Sequence, residues 1–493
     1  MRLPSVRIFC GKECPPVAQP LDCGGSTPLF LRHGYGVQSQ SRPSQRISET
    51  VRLSSAKPKR RQAAAVQSLA AIAHDLRSSD RFSRLIRRAR QSARMADFFQ
   101  TGEIATLHRL GPPNIARLEA ELCAFSKQTP IALVLPCHVR EFGTPALVRI
   151  LSELKGAKYL RQIVVGIDGA DTAAKWNRAR KIFGVLPHET LLLWNDGPRI
   201  SKLQRTLAHI DGVAGKGRNV WLCLGAVFAT ARARVIAMHD CDIANYSREL
   251  LTRLCYPVAN PALGFHFCKG YYARVSDRLH GRVTRLLVAP LLRAMRDIIG
   301  PHPLLQYLEA FRYPLAGEVA LRADHARRLR VPCDWALELG VLADTFRHCA
   351  PRAICQAELC DNYDHKHQSL SPRDPSRGLH KVAREVVLAF FRSISGEGVK
   401  MDASLLGTLP ASYERHASEA LRVYSADALI NSLEYPRDDE ELAARTFERA
   451  IREAAEIFLA APHDSASAPC WERMAAEFPG VLEKLRDAIE AHI

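Results

Sequence analysis

The sequence predicts an α/β protein with a parallel, doubly wound sheet, followed by a helical C-terminal region. Between residues 130 and 245, short apolar runs of strand length alternate with segments of helical pattern. Strands that alternate with helices in this way build a parallel sheet covered on both faces. The predicted strands are 131–136, 162–168, 190–194 and 235–239, and the predicted helices between them are 144–155, 172–183 and 218–231.

The region beyond residue 378 is predicted to be helical throughout. Its helical segments are separated by Gly396-Glu-Gly398, by Pro436 and by the stretch from Ala461 to Asp464, which are residue types that end helices. We expect this region to cover the sheet, to act as a lid or to form a dimer interface. The predicted helices are 379–395, 412–434, 438–460 and 471–491.

The leading segment, residues 1–94, differs from the rest of the chain in composition. It holds 18 of the 69 Lys and Arg residues but only 5 of the 51 Asp and Glu residues, so +13 of the formal net charge of +18 lies there. We expect most of it to be disordered, with a basic helix at 63–94, and Met95 is a candidate alternative start. Its charge leaves open a basic protein that binds nucleic acid or a membrane surface. The alternative is a solvated tail.

The cysteines and the hydropathy pattern indicate a cytoplasmic protein without a membrane span. Fourteen cysteines are scattered along the chain, and no two form a C-x-x-C pair. This spacing does not favour a zinc site, and it is typical of reduced thiols in a cytoplasmic protein. No apolar run approaches the 18 to 20 residues that cross a bilayer.

Two aspartates, Asp240 and Asp242, follow the apolar run that begins at Val235. In an extended chain both side chains project to the same side, about 6.5 Å apart, and at an effective dielectric constant near 20 they repel each other by about 2–3 kcal/mol. A divalent cation that bridges them to a diphosphate would turn this repulsion into attraction. Open α/β sheets bind ligands at the carboxyl ends of their strands. The pair therefore predicts a site for a nucleotide-sugar, although Asp is also common in ordinary turns.

A second motif, Gly215-Lys216-Gly217, opens the predicted helix that precedes the Asp240 strand. Glycines allow a close approach of the backbone, and the helix N-terminus together with the lysine favours anions. The order along the chain would let this loop and the aspartates meet the same diphosphate. A flexible basic loop is the alternative.

Carboxylate and imidazole side chains further along the chain are candidates for the same site. Glu338 lies among apolar residues in a helix that we expect to begin near Asp334, so it needs a ligand or a partner such as a core arginine. Asp364-His365-Lys-His367 follows a strand-like segment at 353–359, and a histidine there would complete a metal site begun by the aspartates. Surface histidines of a loop are the alternative.

Two further motifs suit a small anionic substrate or a sugar. Gly281-Arg282-Val-Thr284 precedes a predicted helix at 285–299 and offers a guanidinium and a hydroxyl for a phosphate or a carboxylate. Pro314-Leu-Ala-Gly-Glu318 predicts a tight turn whose glutamate would hold a sugar hydroxyl. An ordinary helix start and a simple turn with a solvated glutamate are the alternatives.

In this order, over about residues 131–367, the motifs resemble the glucosyl-3-phosphoglycerate synthases, which are retaining glycosyltransferases of the GT-A fold. The resemblance implies a GT-A type nucleotide-diphospho-sugar transferase domain at 95–377 with a helical C-terminal extension at 378–493. It also implies transfer of glucose from a nucleoside diphosphate glucose to 3-phosphoglycerate, with Mg²⁺ or Mn²⁺ as cofactor. We further expect a homodimer that binds no nucleic acid.

The resemblance also implies roles for individual residues. The implied metal ligands are Asp240, Asp242 and His365. The implied donor-binding residues are Pro136, Glu141, Asp168, Lys216, Asp240 and Glu338, and the implied acceptor-binding residues are Gly281, Arg282 and Thr284. Lys216, Glu338 and the backbone carbonyl near Leu315 and Ala316 are expected to act in catalysis.

The chain departs from the family pattern in two loops. The first reads Pro136-Cys-His-Val-Arg-Glu141 where the family usually has an Asn-Glu-Glu type sequence, and the second, Asp168-Gly-Ala-Asp171, lacks the usual serines. Mannosyl transfer and an unphosphorylated glycerate acceptor therefore remain alternatives.

Overall fold

A mixed eight-stranded sheet forms the centre of the molecule in the computed structural model, which describes residues 100, 102–207, 215–365, 368–462 and 467–491. The strand order is β1-β9-β6-β7-β5-β2-β3-β4, and a separate small sheet pairs β10 with β8. The expectations for residues 1–94 lie outside the described residues. The strands are β1 (Ala105–Leu107), β2 (Ile131–His138), β3 (Leu160–Asp168), β4 (Glu189–Trp194), β5 (Val235–Met238), β6 (Phe267–Tyr272), β7 (Val319–Arg322), β8 (Val331–Pro332), β9 (Ile354–Cys360) and β10 (Ser467–Ala468).

The four strands predicted between residues 130 and 245 pair in parallel, as expected, but one strand further along the chain does not. β7 runs antiparallel to both of its neighbours, β5 and β6, whereas the other pairings in the large sheet are parallel. Two antiparallel pairings in succession restore the direction, so β6 and β9 point the same way as β5 and β2. The carboxyl ends of these four strands therefore share one edge of the sheet, which is the edge where α/β sheets bind ligands.

Helices follow most strands, as predicted for the first half of the chain. The three helices expected between the first four predicted strands are present with ends within two residues of the prediction. The helices up to β9 are α1 (Ile115–Phe125), α2 (Pro145–Leu154), α3 (Ala173–Phe183), α4 (Pro198–Thr206), α5 (Lys216–Thr230), α6 (Arg248–Ala259), α7 (Ala289–Ile299), α8 (Pro303–Glu309), α9 (Ala323–Arg328) and α10 (Leu337–His348).

The C-terminal region is helical, as predicted, with two differences in detail. The second helix begins nine residues earlier than expected and continues through Pro410, and the last predicted helix is divided by a turn at residues 478–480. The helices are α11 (Gly378–Gly396), α12 (Ala403–Ile430), α13 (Arg437–Ala460), α14 (Trp471–Glu477) and α15 (Val481–Glu490). The α/β class with a helical C-terminal extension is thus confirmed.

Both faces of the sheet are buried, and successive residues of β2 alternate between them. Leu133 and Leu135 pack into an apolar cluster with α2, α3 and α6, whereas Ala132 and Val134 face α5 and the C-terminal helices. Burial on both faces explains why the predicted strands are continuous apolar runs. Within the described residues, no helix is both long enough and apolar enough to cross a membrane.

Candidate active site

The acidic pair lies at the ligand-binding edge of the sheet, directly after β5. The buried imidazole of His239 fixes the start of this turn, since its Nδ1–H donates to the backbone oxygen of Asp240 (2.9 Å) and its Nε2 accepts from the Tyr246 hydroxyl (3.0 Å). Burial lowers the pKa of His239 to about 4, so the ring is neutral at pH 7. A neutral ring that uses both nitrogens holds the backbone of Asp240 in one position.

Lys216, the first residue of α5, lies between two carboxylates. Its Nζ is 2.7 Å from Asp240 Oδ1 and 2.9 Å from Glu338 Oε1. Burial alone would lower the pKa of Lys216, but the attraction of the two carboxylates outweighs it and raises the pKa above its ordinary value. Lys216 in turn overcomes the effect of burial on Asp240 and lowers the pKa of that carboxyl. Lys216 is therefore cationic and Asp240 anionic at neutral pH.

Glu338 pairs with a lysine rather than with the core arginine considered from the sequence, and it lies in the first turn of a helix that Asp334 does not cap. Its partner is Lys216, and helix α10 begins at Leu337, after Ala336. Asp334 accepts a hydrogen bond from the backbone N–H of Ala336 (3.0 Å) in the turn before the helix. Glu338 is thus a carboxylate at the cleft wall, in contact with the lysine.

Glu318 does not hold a sugar hydroxyl, contrary to expectation, because it is fully buried. Its carboxylate accepts hydrogen bonds from Tyr363 (2.5 Å) and Tyr272 (2.7 Å), whose rings stack with their centroids 3.8 Å apart. Tyr363 in turn meets the ring of His365 edge-on, with the centroids 5.5 Å apart. Glu318 therefore supports the cleft wall from beneath.

The carbonyl of Ala316 already accepts a hydrogen bond from a buried lysine, which makes it less suited than the sequence suggests to stabilise positive charge on a sugar. The buried ammonium of Lys269 donates to it at 2.5 Å. Burial lowers the pKa of Lys269 to about 8, so at pH 7 the lysine is still largely protonated and occupies this oxygen. Leu315, the other residue expected here, lines the cleft.

The predicted site residues meet in one cleft of about 960 Å³. Eleven of the twelve lie on its wall, and they come from seven separate stretches of the chain. Those eleven are Pro136, Glu141, Lys216, Asp240, Asp242, Gly281, Arg282, Thr284, Leu315, Glu338 and His365.

Asp168 is the exception, and the structure does not place it on the cleft wall. Its carboxylate accepts hydrogen bonds from Asn195 (2.8 Å) and Arg218 (3.3 Å). Arg218 also lies 3.5 Å from Asp196. Asp168 therefore joins the loops after β3 and β4 to the start of α5, next to the cleft rather than on it.

The loop that carries Gly281, Arg282 and Thr284 has an unusual backbone. Gly281 has φ of +74°, a conformation that favours glycine, and the expected helix begins as a π-helical turn, Val283–Val288. The hydroxyl oxygen of Thr284 is buried and has no hydrogen-bond partner among the described residues. An unsatisfied buried hydroxyl on a cleft wall is a group that a polar ligand would satisfy.

The three expected metal ligands line the same cleft, but they are not gathered into a finished metal site. No group of three His, Cys, Asp or Glu side chains is placed to hold a metal ion within the ranges that the structure describes. Two carboxylates and an imidazole are nevertheless ligands that suit Mg²⁺ or Mn²⁺. These side chains fit a divalent cation in kind, and a bound diphosphate would supply the remaining oxygen ligands.

Arg274 is the clearest cleft residue that sequence reasoning missed. It follows β6, and its Nη1 donates to the Tyr313 hydroxyl (3.2 Å) while its Nη2 lies 3.4 Å from His365 Nδ1. A guanidinium only donates, so the lone pair of Nδ1 faces it. A signal in the sequence was the strand-like segment 267–272, after which a charged residue follows at the second position, as Asp240 follows β5. His138 and Trp335 also line the cleft and were not singled out.

Curated relatives cover most of the chain. A glucosyl-3-phosphoglycerate synthase from Persephonella marina is 41% identical over 399 residues, which are 80% of this chain and 98% of the relative. The enzyme of the same name from Methanococcoides burtonii is 36% identical over 372 residues, 74% and 90% of the two chains. No family model matches the sequence.

Solved structures are more distant. Glucosyl-3-phosphoglycerate synthase from Mycobacterium tuberculosis in complex with Mn²⁺, uridine-diphosphate-glucose and phosphoglyceric acid aligns with a TM-score of 0.44 at 21% identity, over 62% of this chain and 90% of that one. The two curated relatives, at 41% and 36% identity over nearly their whole length, decide the family. They confirm the resemblance seen in the motifs, and this chain belongs to the glucosyl-3-phosphoglycerate synthase family.

Proposed function

We propose that this chain transfers glucose from a nucleoside diphosphate glucose to the 2-hydroxyl of 3-phosphoglycerate, with retention at the anomeric carbon. One observation carries the proposal. The acidic pair after β5 and the Gly281–Thr284 loop line the same cleft of about 960 Å³, together with Lys216 and Glu338. The names of the curated relatives supply the reaction that this cleft would perform.

The donor would bind at the end of the cleft nearest β2 and β5. Asp240, Asp242 and His365 would hold Mg²⁺ or Mn²⁺, a Lewis acid that neutralises negative charge on a departing diphosphate. Pro136 and Glu141 would line the nucleoside pocket. Asp168 would act there indirectly, because it holds the neighbouring loops together.

Lys216 and Glu338 would act on the reacting groups themselves. The raised pKa of Lys216 keeps its ammonium charged, so it would stabilise the leaving diphosphate electrostatically. Glu338 would then exchange its contact with Lys216 for hydroxyls of the sugar. Glu338 contacts Lys216, Asp439 lies 3.8 Å from Arg282, and Asp240 and Asp242 belong to the expected metal site, so we favour front-face displacement without a covalent intermediate. The carbonyl of Leu315 would stabilise the positive charge on the sugar.

The acceptor would lie against Gly281, Arg282 and Thr284. A guanidinium binds phosphate or carboxylate with charge-assisted hydrogen bonds, and the unsatisfied hydroxyl of Thr284 adds a further contact. The positive φ of Gly281 brings the backbone close to the ligand without a side chain between them. These groups favour a phosphorylated acceptor over free glycerate.

The experiment that tests the reaction is product analysis of the purified chain with a panel of nucleotide-sugars and glycerate acceptors, with and without chelator. We expect a glucosylated phosphoglycerate that forms only when Mg²⁺ or Mn²⁺ is present. Mannosylated or unphosphorylated products would favour the alternatives left open by the sequence.

Asp242→Ala tests the metal assignment directly. We expect it to abolish turnover while the circular dichroism spectrum stays unchanged, since Asp242 lies on the cleft wall and not in the core. Asp361→Ala is the matched control, because this aspartate is largely exposed and pairs with Arg109 away from the cleft. Full activity of the Asp242 variant would contradict the assignment.

The remaining expectations on location and partners are part of this proposal. We expect a cytoplasmic homodimer that binds no nucleic acid, with the exposed Leu429 and Ile430 at the end of α12 as a candidate contact. Light scattering measures the oligomeric state. Deletion of residues 1–94 should leave transfer intact, whereas a protein whose function is carried by a basic tail would lose its binding.

A further inference from the structure

The loop with the expected acceptor residues is attached to the C-terminal helical region. We call residues 277–284 the acceptor loop and residues 434–440, which comprise the end of the α12–α13 connection and the first turn of α13, the helix junction. The backbone N–H of Glu434 donates to the oxygen of Asp277 (2.8 Å), and Arg278 pairs with the carboxylate of Glu434 (3.1 Å). The conformation of the acceptor loop therefore depends on residues that are distant in sequence.

Glu440 is the centre of this attachment. It lies in the first turn of α13, its side chain is only 2% exposed, and one carboxylate oxygen lies 2.6 Å from Arg282 Nε. The other oxygen lies 2.9 Å from Arg285 Nη2. Burying a carboxylate costs desolvation free energy, and removing one partner of such a buried ion pair is strongly destabilising. Here each oxygen of the Glu440 carboxylate has a guanidinium partner. Its position at a helix N-terminus adds to its stability.

Arg285 extends the contact of Glu440 to the backbone of the acceptor loop. Its Nε donates to the oxygen of His280 (2.8 Å), and Nη2 donates to the oxygen of Leu279 (3.3 Å). Its guanidinium also lies over the ring of Tyr424, 4.9 Å from the centroid, on α12. Glu440 thus fixes the side chain of Arg282 directly and the backbone before it through Arg285.

Arg282 would otherwise be a long, flexible side chain at the edge of a cleft. Glu440 contacts the Arg282 guanidinium at short range through Nε alone. The nearest other carboxylate, that of Asp439, lies 3.8 Å from Nη2 and contacts it only weakly. Holding a guanidinium by Nε restricts its rotation while its other donors remain for a ligand. A preorganised guanidinium binds an anion more tightly, because less side-chain freedom is lost on binding.

We propose that Glu440 is a positioning residue that orients Arg282 for the acceptor, and that the helix junction thereby sets acceptor affinity. This proposal rests on the proposed function. It gives the C-terminal helical region a role in substrate selection in addition to its role in the core.

The test is steady-state kinetics of Glu440→Gln with 3-phosphoglycerate and the nucleotide-sugar varied separately. We expect the KM for the acceptor to rise by about tenfold, since one such factor equals about 1.4 kcal/mol of lost binding. The KM for the donor and kcat should stay within about threefold of the wild type. Glu440→Asp keeps the charge and should restore part of the acceptor affinity.

Glu453→Gln is the matched control on the same helix. Glu453 pairs with His380 and Arg384 of α11 and makes no contact with the acceptor loop. It should lower the unfolding temperature without changing the KM for either substrate. Should Glu440→Gln fail to fold, Glu440→Asp decides the question. We then expect a smaller rise in KM that is again confined to the acceptor.

A double-mutant cycle shows whether Glu440 acts through Arg282. In the Arg282→Ala background, Glu440→Gln should change the acceptor KM by less than about twofold. The proposal would be overturned if Glu440→Gln left the acceptor KM unchanged or raised the KM of both substrates equally. It would also be overturned if Glu440→Gln raised the acceptor KM as much in the Arg282→Ala background as in the wild type. If the wild-type chain makes no glucosyl product from 3-phosphoglycerate, the proposed function itself fails and this inference fails with it.

Discussion

Gly317 lies directly against Asp240. A Cβ atom placed on Gly317 would lie 2.9 Å from Asp240 Oδ2 and 3.1 Å from Lys216 Nζ, both distances shorter than normal van der Waals contact. Both atoms are the ends of flexible side chains, so they would move while the backbone stays in place. A single methyl group would therefore disturb the Lys216–Asp240 pair without breaking the core.

We expect Gly317→Ala to lower kcat by about tenfold, because a displaced carboxylate and ammonium would no longer face the diphosphate in the arrangement that the reaction needs. The unfolding temperature should change little. Initial-rate kinetics and thermal unfolding measure the two effects on the same preparation.

Gly407→Ala is the control for this substitution. Gly407 is exposed within α12, and a Cβ there would meet nothing within 4 Å. The change should stabilise the protein by about 0.5–1 kcal/mol, the difference between Gly and Ala in a helix, and leave kcat unchanged. Equal kcat values for the two variants would show that the close approach of Gly317 is irrelevant to the reaction.

Arg282→Ala should separate the two acceptors that the sequence leaves open. Charge-assisted hydrogen bonds contribute about 1.5–3 kcal/mol, so kcat/KM for 3-phosphoglycerate should fall by about 10- to 150-fold. The value for free glycerate should change by less than about threefold, since glycerate lacks the phosphate. Arg415→Ala, at an exposed pair with Asp297, is the control. Equal losses with both acceptors would place the phosphate elsewhere.

The strands and the acidic pair could be predicted because their signals are local. The apolar runs that became β2, β3 and β5 are buried on both faces, the run that became the edge strand β4 is half-buried, and Asp240 and Asp242 follow β5 closely. Strand and helix alternate in the sequence as they do in space, so the edge that binds the ligand followed from the order of the elements.

The features that the sequence did not reveal concern relationships between distant residues. The direction of β7 is set by its neighbours β5 and β6, and no pattern within Val319–Arg322 encodes it. Glu318 looks like a turn residue until Tyr272 and Tyr363 are placed around it. The contact between Arg282 and Glu440 joins residues 158 positions apart, which composition and periodicity do not reveal.

Acid should destabilise the protein through His325, which is buried and does not line the cleft. Its Nε2 lies 3.1 Å from the Thr345 hydroxyl, and burial, with His348 nearby, lowers its pKa to about 4. Between pH 6.5 and pH 4 the unfolded chain binds a proton that the folded protein does not bind. The stability is therefore complete above pH 6.5 and is lost as the pH falls toward 4, by about 2 kcal/mol between pH 7 and pH 5.

Urea unfolding at pH 7 and pH 5 measures this loss. His325→Gln removes the titrating group and keeps a hydrogen-bonding side chain. Between pH 7 and pH 5, the free energy of unfolding of this variant should therefore fall less than that of the wild type, by a difference of about 2 kcal/mol. The pKa of His239 is lowered in the same direction, so the variant should retain part of the dependence. A variant with the full wild-type loss would show that His325 does not contribute.

Trp471 on α14 anchors the last helices to the helix that carries Lys216. Its ring stacks on Trp221 of α5 with the centroids 4.2 Å apart, and its Nε1 donates to the backbone oxygen of Trp221 (2.9 Å). Trp471→Ala should therefore lower the free energy of unfolding by about 3–5 kcal/mol, as for other buried tryptophans. Since Trp471 is not on the cleft wall, kcat of the folded fraction at low temperature should stay within about threefold of the wild type. Leu459→Ala, at an exposed position of α13, is the control and should lower the free energy of unfolding by less than about 0.5 kcal/mol. A similarly small loss for Trp471→Ala would mean that this stacked pair does not hold the C-terminal helices in place.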